Sequence, residues 1–136
     1  DLYPRRFVLD VSYQKTWSAS GSVTYNGQTV DVEADVLVFA TPIYYYEMSG
    51  QLKTLLDRLN PLFPSDYAFR DVYLLTSAAE DEASVPQRAV SGVEGWIECF
   101  ERAKLAGTVF MGGVTAAGEN PAHPALEQAY RMGKEA

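Results

Sequence analysis

The stretch from Asp35 to Asn60, DVLVFATPIYYYEMSGQLKTLLDRLN, limits the possible folds more than any other part of the chain. Val36 to Ala40 is an uninterrupted apolar run, which predicts a strand buried on both faces of a parallel sheet. Thr41-Pro42 leads from it into a tyrosine-rich loop, Ile43 to Gly50. Leu52, Leu55, Leu56 and Leu59 then recur at i, i+3, i+4 and i+7, the apolar stripe of a helix. Ser49 is its expected N-cap, and Asn60-Pro61 ends it. Strand, loop and helix in this order make half of a parallel βαβ unit.

The loop carries the functional signal. In an open parallel sheet, ligands sit outside the carboxyl ends of the strands. Tyr44, Tyr45 and Tyr46 are consecutive, so they cannot all point inward. Two readings follow from the residues alone. Either the rings cap the core with their hydroxyls in water, or at least one of them faces a cleft or a partner.

Composition excludes several function classes. A chain of 136 residues is expected to form one domain, 1–136, with a proper core. Its 47% hydrophobic content rules out a disordered segment. No apolar run is long enough to span a bilayer, so no membrane partner is expected. The start, DLYPRR, has no signal-peptide architecture and no initiator Met, so the N-terminus is expected to be processed or cut. A net charge of −7, with Arg5-Arg6 as the sole basic cluster, argues against nucleic acid. The single cysteine, Cys99, forms no internal disulfide and fits a reducing, cytoplasmic compartment. One His and one Cys cannot build a transition-metal site. A Ser-His-Asp triad and a G-x-G-x-x-G dinucleotide loop are not indicated either.

Taken in order, Arg6 to Tyr13 reads as a strand and Gln14 to Ser22 as a polar loop. Val23-Thr24-Tyr25 and Thr29-Val30-Asp31-Val32 flank Asn26-Gly27, the strongest short-range hairpin signal, with Val23 opposite Val30. Leu62 to Phe69 is an irregular link, and Val72 to Thr76 is a second buried strand. The acidic run Glu80-Asp81-Glu82 reads as favouring the first turn of a following helix. That helix is predicted over Ser84 to Leu105, capped by Ser84, with Val93, Trp96, Ile97 and Phe100 inward and Gly107 at C′. Gly92 and Gly95 weaken it and suit close packing against the sheet or a second subunit. Cys99 is expected to be a buried, inert thiol. Thr108 to Met111 is a further strand, and Gly112-Gly113 reads first as a turn. The last helix starts near His123-Pro124, with Leu126, Ala129 and Tyr130 on one face and His123 as a surface or capping residue.

The run TPIYYYEMSGQLKTLLDRL resembles the loop-plus-helix signature of flavodoxin-like NAD(P)H-dependent FMN reductases and related flavoproteins. The matching positions are Thr41, Pro42, Ile43, Tyr44, Met48, Ser49, Gly50, Leu52, Lys53, Asp57 and Arg58. The resemblance covers Asp35 to Ala136. It implies an α/β, three-layer flavodoxin-like fold with a mostly parallel sheet. It also implies FMN bound without a covalent link, with Thr41, Pro42, Ile43, Tyr44, Tyr45 and Tyr46 against the isoalloxazine ring. Thr76, Ser77 and Ala78 would lie near the pyrimidine edge, the amides of Ser77 and Ala78 donating to its carbonyl oxygens. NAD(P)H is the implied co-substrate, a quinone or free flavin the implied small-molecule acceptor, and a homodimer the implied assembly.

The N-terminal part departs from the family and reads as modified or shortened. After the first strand a hydroxyl-rich phosphate loop is expected, and YQKTWSAS offers Thr16, Ser18 and Ser20 as donors. Trp17 stands where a small residue is expected, and a hairpin follows in place of a helix. An ordinary polar loop is the simpler reading of these residues. Two alternatives therefore stay open: an FMN electron carrier that does not oxidise NAD(P)H, and a non-enzymatic binding module that has lost the phosphate site.

Overall fold

The computed structural model describes residues 34–136 throughout and, ahead of them, the backbone of three short strands. Those strands are β1 (Phe7–Val8), β2 (Ser22–Tyr25) and β3 (Gln28–Asp31). The chain continues through β4 (Val36–Tyr44), β5 (Glu47–Met48), α1 (Gly50–Arg58), β6 (Asp71–Ser77), α2 (Gln87–Ile97), β7 (Lys104–Met111) and α3 (Pro124–Glu135). A sheet in the order β1-β4-β6-β7 runs parallel throughout, and β5 folds back antiparallel on β4. The hairpin expected around Asn26-Gly27 forms as a separate two-stranded sheet, with Val23 opposite Val30. The other expectations for residues 1–21, including Thr16, Ser18 and Ser20, lie outside the described residues.

Burial alternates along β6: Val72, Leu74 and Thr76 are buried, and Asp71, Tyr73, Leu75 and Ser77 are half-buried. The buried face continues into Phe39 and Thr41 of β4, whereas Val109 of β7, paired with Leu75, is buried on the other face. Leu52, Leu55 and Leu56 of α1 and Ala89, Val93 and Ile97 of α2 close over the Val72 and Leu74 face as one apolar cluster. Burying each such aliphatic side chain stabilises the fold by roughly 1.5–3 kcal/mol, so this layer dominates the stability. At the foot of the sheet, Phe69, Trp96 and Phe100 extend the cluster, with Phe69 stacked on Trp96 at 5.9 Å between ring centres. On the opposite face α3 lies over β7, where a Cβ on Gly107 would stand 3.0 Å from Met132 Sδ and 3.2 Å from the Tyr73 ring. Helices on both faces of a parallel sheet make the three-layer α/β architecture expected from the sequence.

Several boundaries differ from expectation. β4 does not end at Ala40; it runs on to Tyr44, because Ile43 pairs with Met48 and Tyr44 with Glu47. Nor is that strand buried on both faces, since Ala40 is exposed: α3 packs over β7 instead. The α2 helix spans Gln87–Ile97 and not Ser84 to Leu105; Pro86 is its N-cap, and Leu105 and Gly107 belong to β7. Cys99 is exposed, just past the end of α2, rather than buried. In α3 the buried residue is Ala125, while Leu126 and Tyr130 are exposed. His123 caps that helix, its Nδ1 accepting from the Ala125 N–H at 3.1 Å.

Candidate functional site

The carboxyl ends of β4, β6 and β7 form one rim, set by the register Thr41↔Thr76, Pro42↔Ser77 and Ser77↔Met111. Strand alternation decides what each residue offers there. Thr41 is 4% exposed; its Oγ1 accepts from the Ser49 N–H at 2.9 Å and donates to the Pro42 carbonyl at 2.9 Å. Ser49 Oγ in turn caps α1 by accepting from the Leu52 N–H at 3.3 Å. Thr76 is also buried and donates to the Val109 carbonyl at 3.3 Å. Both threonines thus fasten the rim from beneath.

Above them the chain reverses over Tyr45-Tyr46, whose φ angles are 52° and 66°. Type I′ turns require positive φ at both central residues, a region that glycine and asparagine enter at least cost. Bulky residues held there cost on the order of 1–3 kcal/mol each. The other positive-φ positions among the described residues are both glycines, Gly113 and Gly118. Ile43 packs towards the core, Pro42 is exposed, and Tyr44, Tyr45 and Tyr46 are 61%, 98% and 45% exposed. The three phenols therefore project outward and do not cap the core.

Tyr46 is the one tyrosine of the three with a polar partner in its own fold. Its hydroxyl donates to Glu80, at 3.0 and 3.1 Å from the two carboxylate oxygens. The Arg88 guanidinium carbon stands 6.0 Å from the centre of its ring. The hydrogen bond to Glu80, then that carboxylate's charge, raises the Tyr46 phenol above its ordinary value, with Arg88 opposing. Glu80 is thus no helix-terminus acid: the first turn of α2 carries no acidic residue.

The Glu80 segment is itself fixed by β7. The Gly113 N–H donates to the Glu80 carbonyl at 3.3 Å, and the Val114 N–H to the Ala78 carbonyl at 3.0 Å. A Cβ on Gly112 would lie 2.7 Å from Asp81 Cα, so only glycine lets the two backbones meet. The Ala78 N–H already donates to the Met111 carbonyl at 3.1 Å, so it is not the open donor the sequence suggested. Ser77 remains half-buried at the rim beside Pro42. Beyond it, the Glu119 carboxylate accepts from the Thr115 N–H at 2.5 Å and the Ala116 N–H at 2.9 Å.

Sequence reading missed Glu80 and Arg88 as neighbours of the tyrosine turn. The Tyr46–Glu80 contact spans 34 positions, and no local spacing encodes it.

An open parallel α/β sheet with an exposed aromatic turn at its carboxyl rim defines a flavodoxin-like protein, with the ligand expected at that rim. The chain belongs to the NADPH-dependent FMN reductase family, whose sequence profile matches residues 32–130. Members of this family use FMN as cofactor with NAD(P)H as co-substrate. Among solved structures, the Trp repressor binding protein from Bacillus subtilis is similar in fold, with a TM-score of 0.59 at 24% identity. The match covers 73% of this chain and 68% of that one. A thermophilic tryptophan halogenase from Streptomycin violaceusniger matches at 19% identity and a TM-score of 0.47, over 76% of this chain and 66% of its own. No curated protein matches the sequence. Among the described residues, no helix is long and apolar enough to cross a membrane.

Proposed function

We propose that this chain binds FMN with its ring against the Tyr44–Tyr46 turn, and passes electrons from NAD(P)H to a small-molecule acceptor, a quinone or free flavin. One observation carries the reading: two successive tyrosines stand at positive φ with their rings in solvent, where a flat ligand of this family would lie. The residues present fit the ring half of such a ligand. Tyr44, Tyr45 and Tyr46 supply flat, hydroxyl-tipped surfaces, and Pro42 and Ser77 form the floor between the strand ends. Thr41 and Thr76 hold that floor from below, Ile43 ties it to the core, and Ala78 fixes the neighbouring loop through Met111 and Val114.

Hydride and electron transfer is chemistry that bound FMN supplies. The chain's part is to bind, orient and shield from water. No side-chain acid or base is called on for this, and none of the rim residues is assigned such a role. We place the assembly as a homodimer in the cytoplasm, with a second copy completing the pocket.

Titration of the purified protein with FMN, followed by flavin fluorescence and then by anaerobic addition of NADPH, tests the reading. Saturable quenching and NADPH-dependent bleaching are expected. Binding without bleaching would leave an electron carrier. Absence of binding by the folded protein would end the proposal. Native mass spectrometry reads cofactor content and subunit number together.

A further inference from the structure

Tyr46 is gripped from two sides, by Glu80 through its hydroxyl and by Arg88 across its ring. We propose that Glu80 is a positioning residue: by accepting the Tyr46 hydroxyl it holds the Tyr45-Tyr46 turn in its left-handed form and so fixes the aromatic wall of the site. Its role in the site rests on the FMN reading above; its hold on the turn does not.

Three features support the assignment. The turn carries backbone strain at both of its central residues, so it keeps this shape only if its surroundings hold it there. Tyr44 and Tyr45 project into solvent, which leaves Tyr46 to tie the turn itself to the rest of the rim. The acceptor, moreover, is mounted on a segment that cannot drift. Glu80 is pinned through its own carbonyl by Gly113, and Gly112 admits the neighbouring Asp81 backbone at a distance no larger residue would allow. A chain of contacts therefore runs from the glycines ending β7, through the Glu80 backbone and carboxylate, to a phenol on β4's hairpin. The other supports of that hairpin are the pairing of Tyr44 with Glu47 at its neck and, below it, Met48 and Ser49; none of these touches the Tyr46 ring or hydroxyl.

Four proteins test this: Glu80→Ala, Glu80→Gln, Tyr46→Phe and the double variant Glu80→Ala/Tyr46→Phe. Hydrogen exchange across residues 44–48 is measured first, without FMN. Loss of one such bond is expected to speed exchange about threefold to tenfold in Glu80→Ala. Glu80→Gln, whose amide oxygen still accepts, should stay within about twofold of the unaltered protein. Tyr46→Phe should match Glu80→Ala, and the double variant should add nothing further. The thermal midpoint should hardly move, because both side chains lie outside the core. FMN titrations on the same set should weaken in the same order, with Glu80→Gln restoring affinity. Unaltered exchange in Glu80→Ala, or additive effects in the double variant, would overturn the proposal even if FMN binds well. If the unaltered protein binds no FMN, the functional reading fails, while the exchange pattern still decides whether Glu80 holds the turn.

Discussion

The β2–β3 hairpin pairs Tyr25 with Gln28, so the sequence puts Asn26-Gly27 between its strands, whereas the β4–β5 hairpin pairs Tyr44 with Glu47 and reverses through Tyr45-Tyr46. Asn-Gly is the cheapest pair for that geometry, and Tyr-Tyr is among the dearest. The chain elsewhere follows the cheap rule, with Gly113 and Gly118 at its other left-handed positions among the described residues. A turn needed only to change direction takes residues that suit it. The tyrosine turn keeps two residues that do not suit it, and aims their rings at solvent. Local strain with no structural return points to a use outside the fold.

The largest effect expected concerns what lies beneath that turn. Met48 pairs with Ile43, is buried, and packs against Gly92 of α2. Met48→Ala should cost about 2–5 kcal/mol in urea denaturation, the range for emptying a buried site of this size. A loss well below that would mean that the hairpin stands on its rim contacts alone. Exchanging the turns comes next. Tyr45→Asn with Tyr46→Gly puts the cheap pair into the costly hairpin and removes both rings. The fold should persist with an equal or higher thermal midpoint, because the strain is relieved. FMN affinity should fall about tenfold or more, since an aromatic wall is lost. Undiminished affinity would separate the strained turn from flavin binding.

The same contrast marks how far the sequence could be read. The apolar run of β4, the leucine stripe of α1 and the Asn-Gly hairpin announce themselves because residue type and local geometry agree. The end of β4 did not, because Thr-Pro and three tyrosines read as loop until β5 is seen pairing back on them. The end of α2 is hidden for a related reason: Phe100 to Leu105 continues an apolar pattern, yet Leu105 is taken into β7 by pairing with Val72. At the site, the tyrosines were legible as a motif. Their φ angles and the Glu80 contact were not: the first go with the two-residue closure of β4 on β5, and the second with the approach of Gly112 and Gly113 to the 80–81 backbone.

A smaller effect separates two glycines of α2. A Cβ at Gly92 would meet Met48 Cε at 2.9 Å, whereas at Gly95 nothing lies within 4 Å. Gly95→Ala should stabilise the protein by about 0.5–1 kcal/mol, the ordinary gain for alanine inside a helix. Gly92→Ala should gain less, because the Met48 methyl must move aside. Equal gains would show that α2 does not press on the tyrosine hairpin.

The smallest effect concerns a third reversal, residues 115–119, held by polar means. Glu119 accepts the Thr115 and Ala116 amides and the Thr115 hydroxyl, and Gly118 takes the left-handed position. Those bonds, the Thr115 amide foremost, hold the Glu119 carboxyl below its usual range. A carboxyl lowered in the folded state contributes stability that is present above its unfolded value, about 4.3, and fades as pH falls through the lowered one. Because Glu119 is exposed, the effect should be slight, about a degree in thermal midpoint. It should show as a difference between the unaltered protein and Glu119→Gln that is constant near neutrality and closes in acid. No comparable acid-limb change is expected for Tyr45→Asn, whose turn is held by packing and the Tyr46 contact. If Glu119→Gln parallels the unaltered protein down to pH about 3, the amides do not favour the carboxylate, and this loop is held by Gly118 and the Glu119 N–H bond to the Ala116 carbonyl.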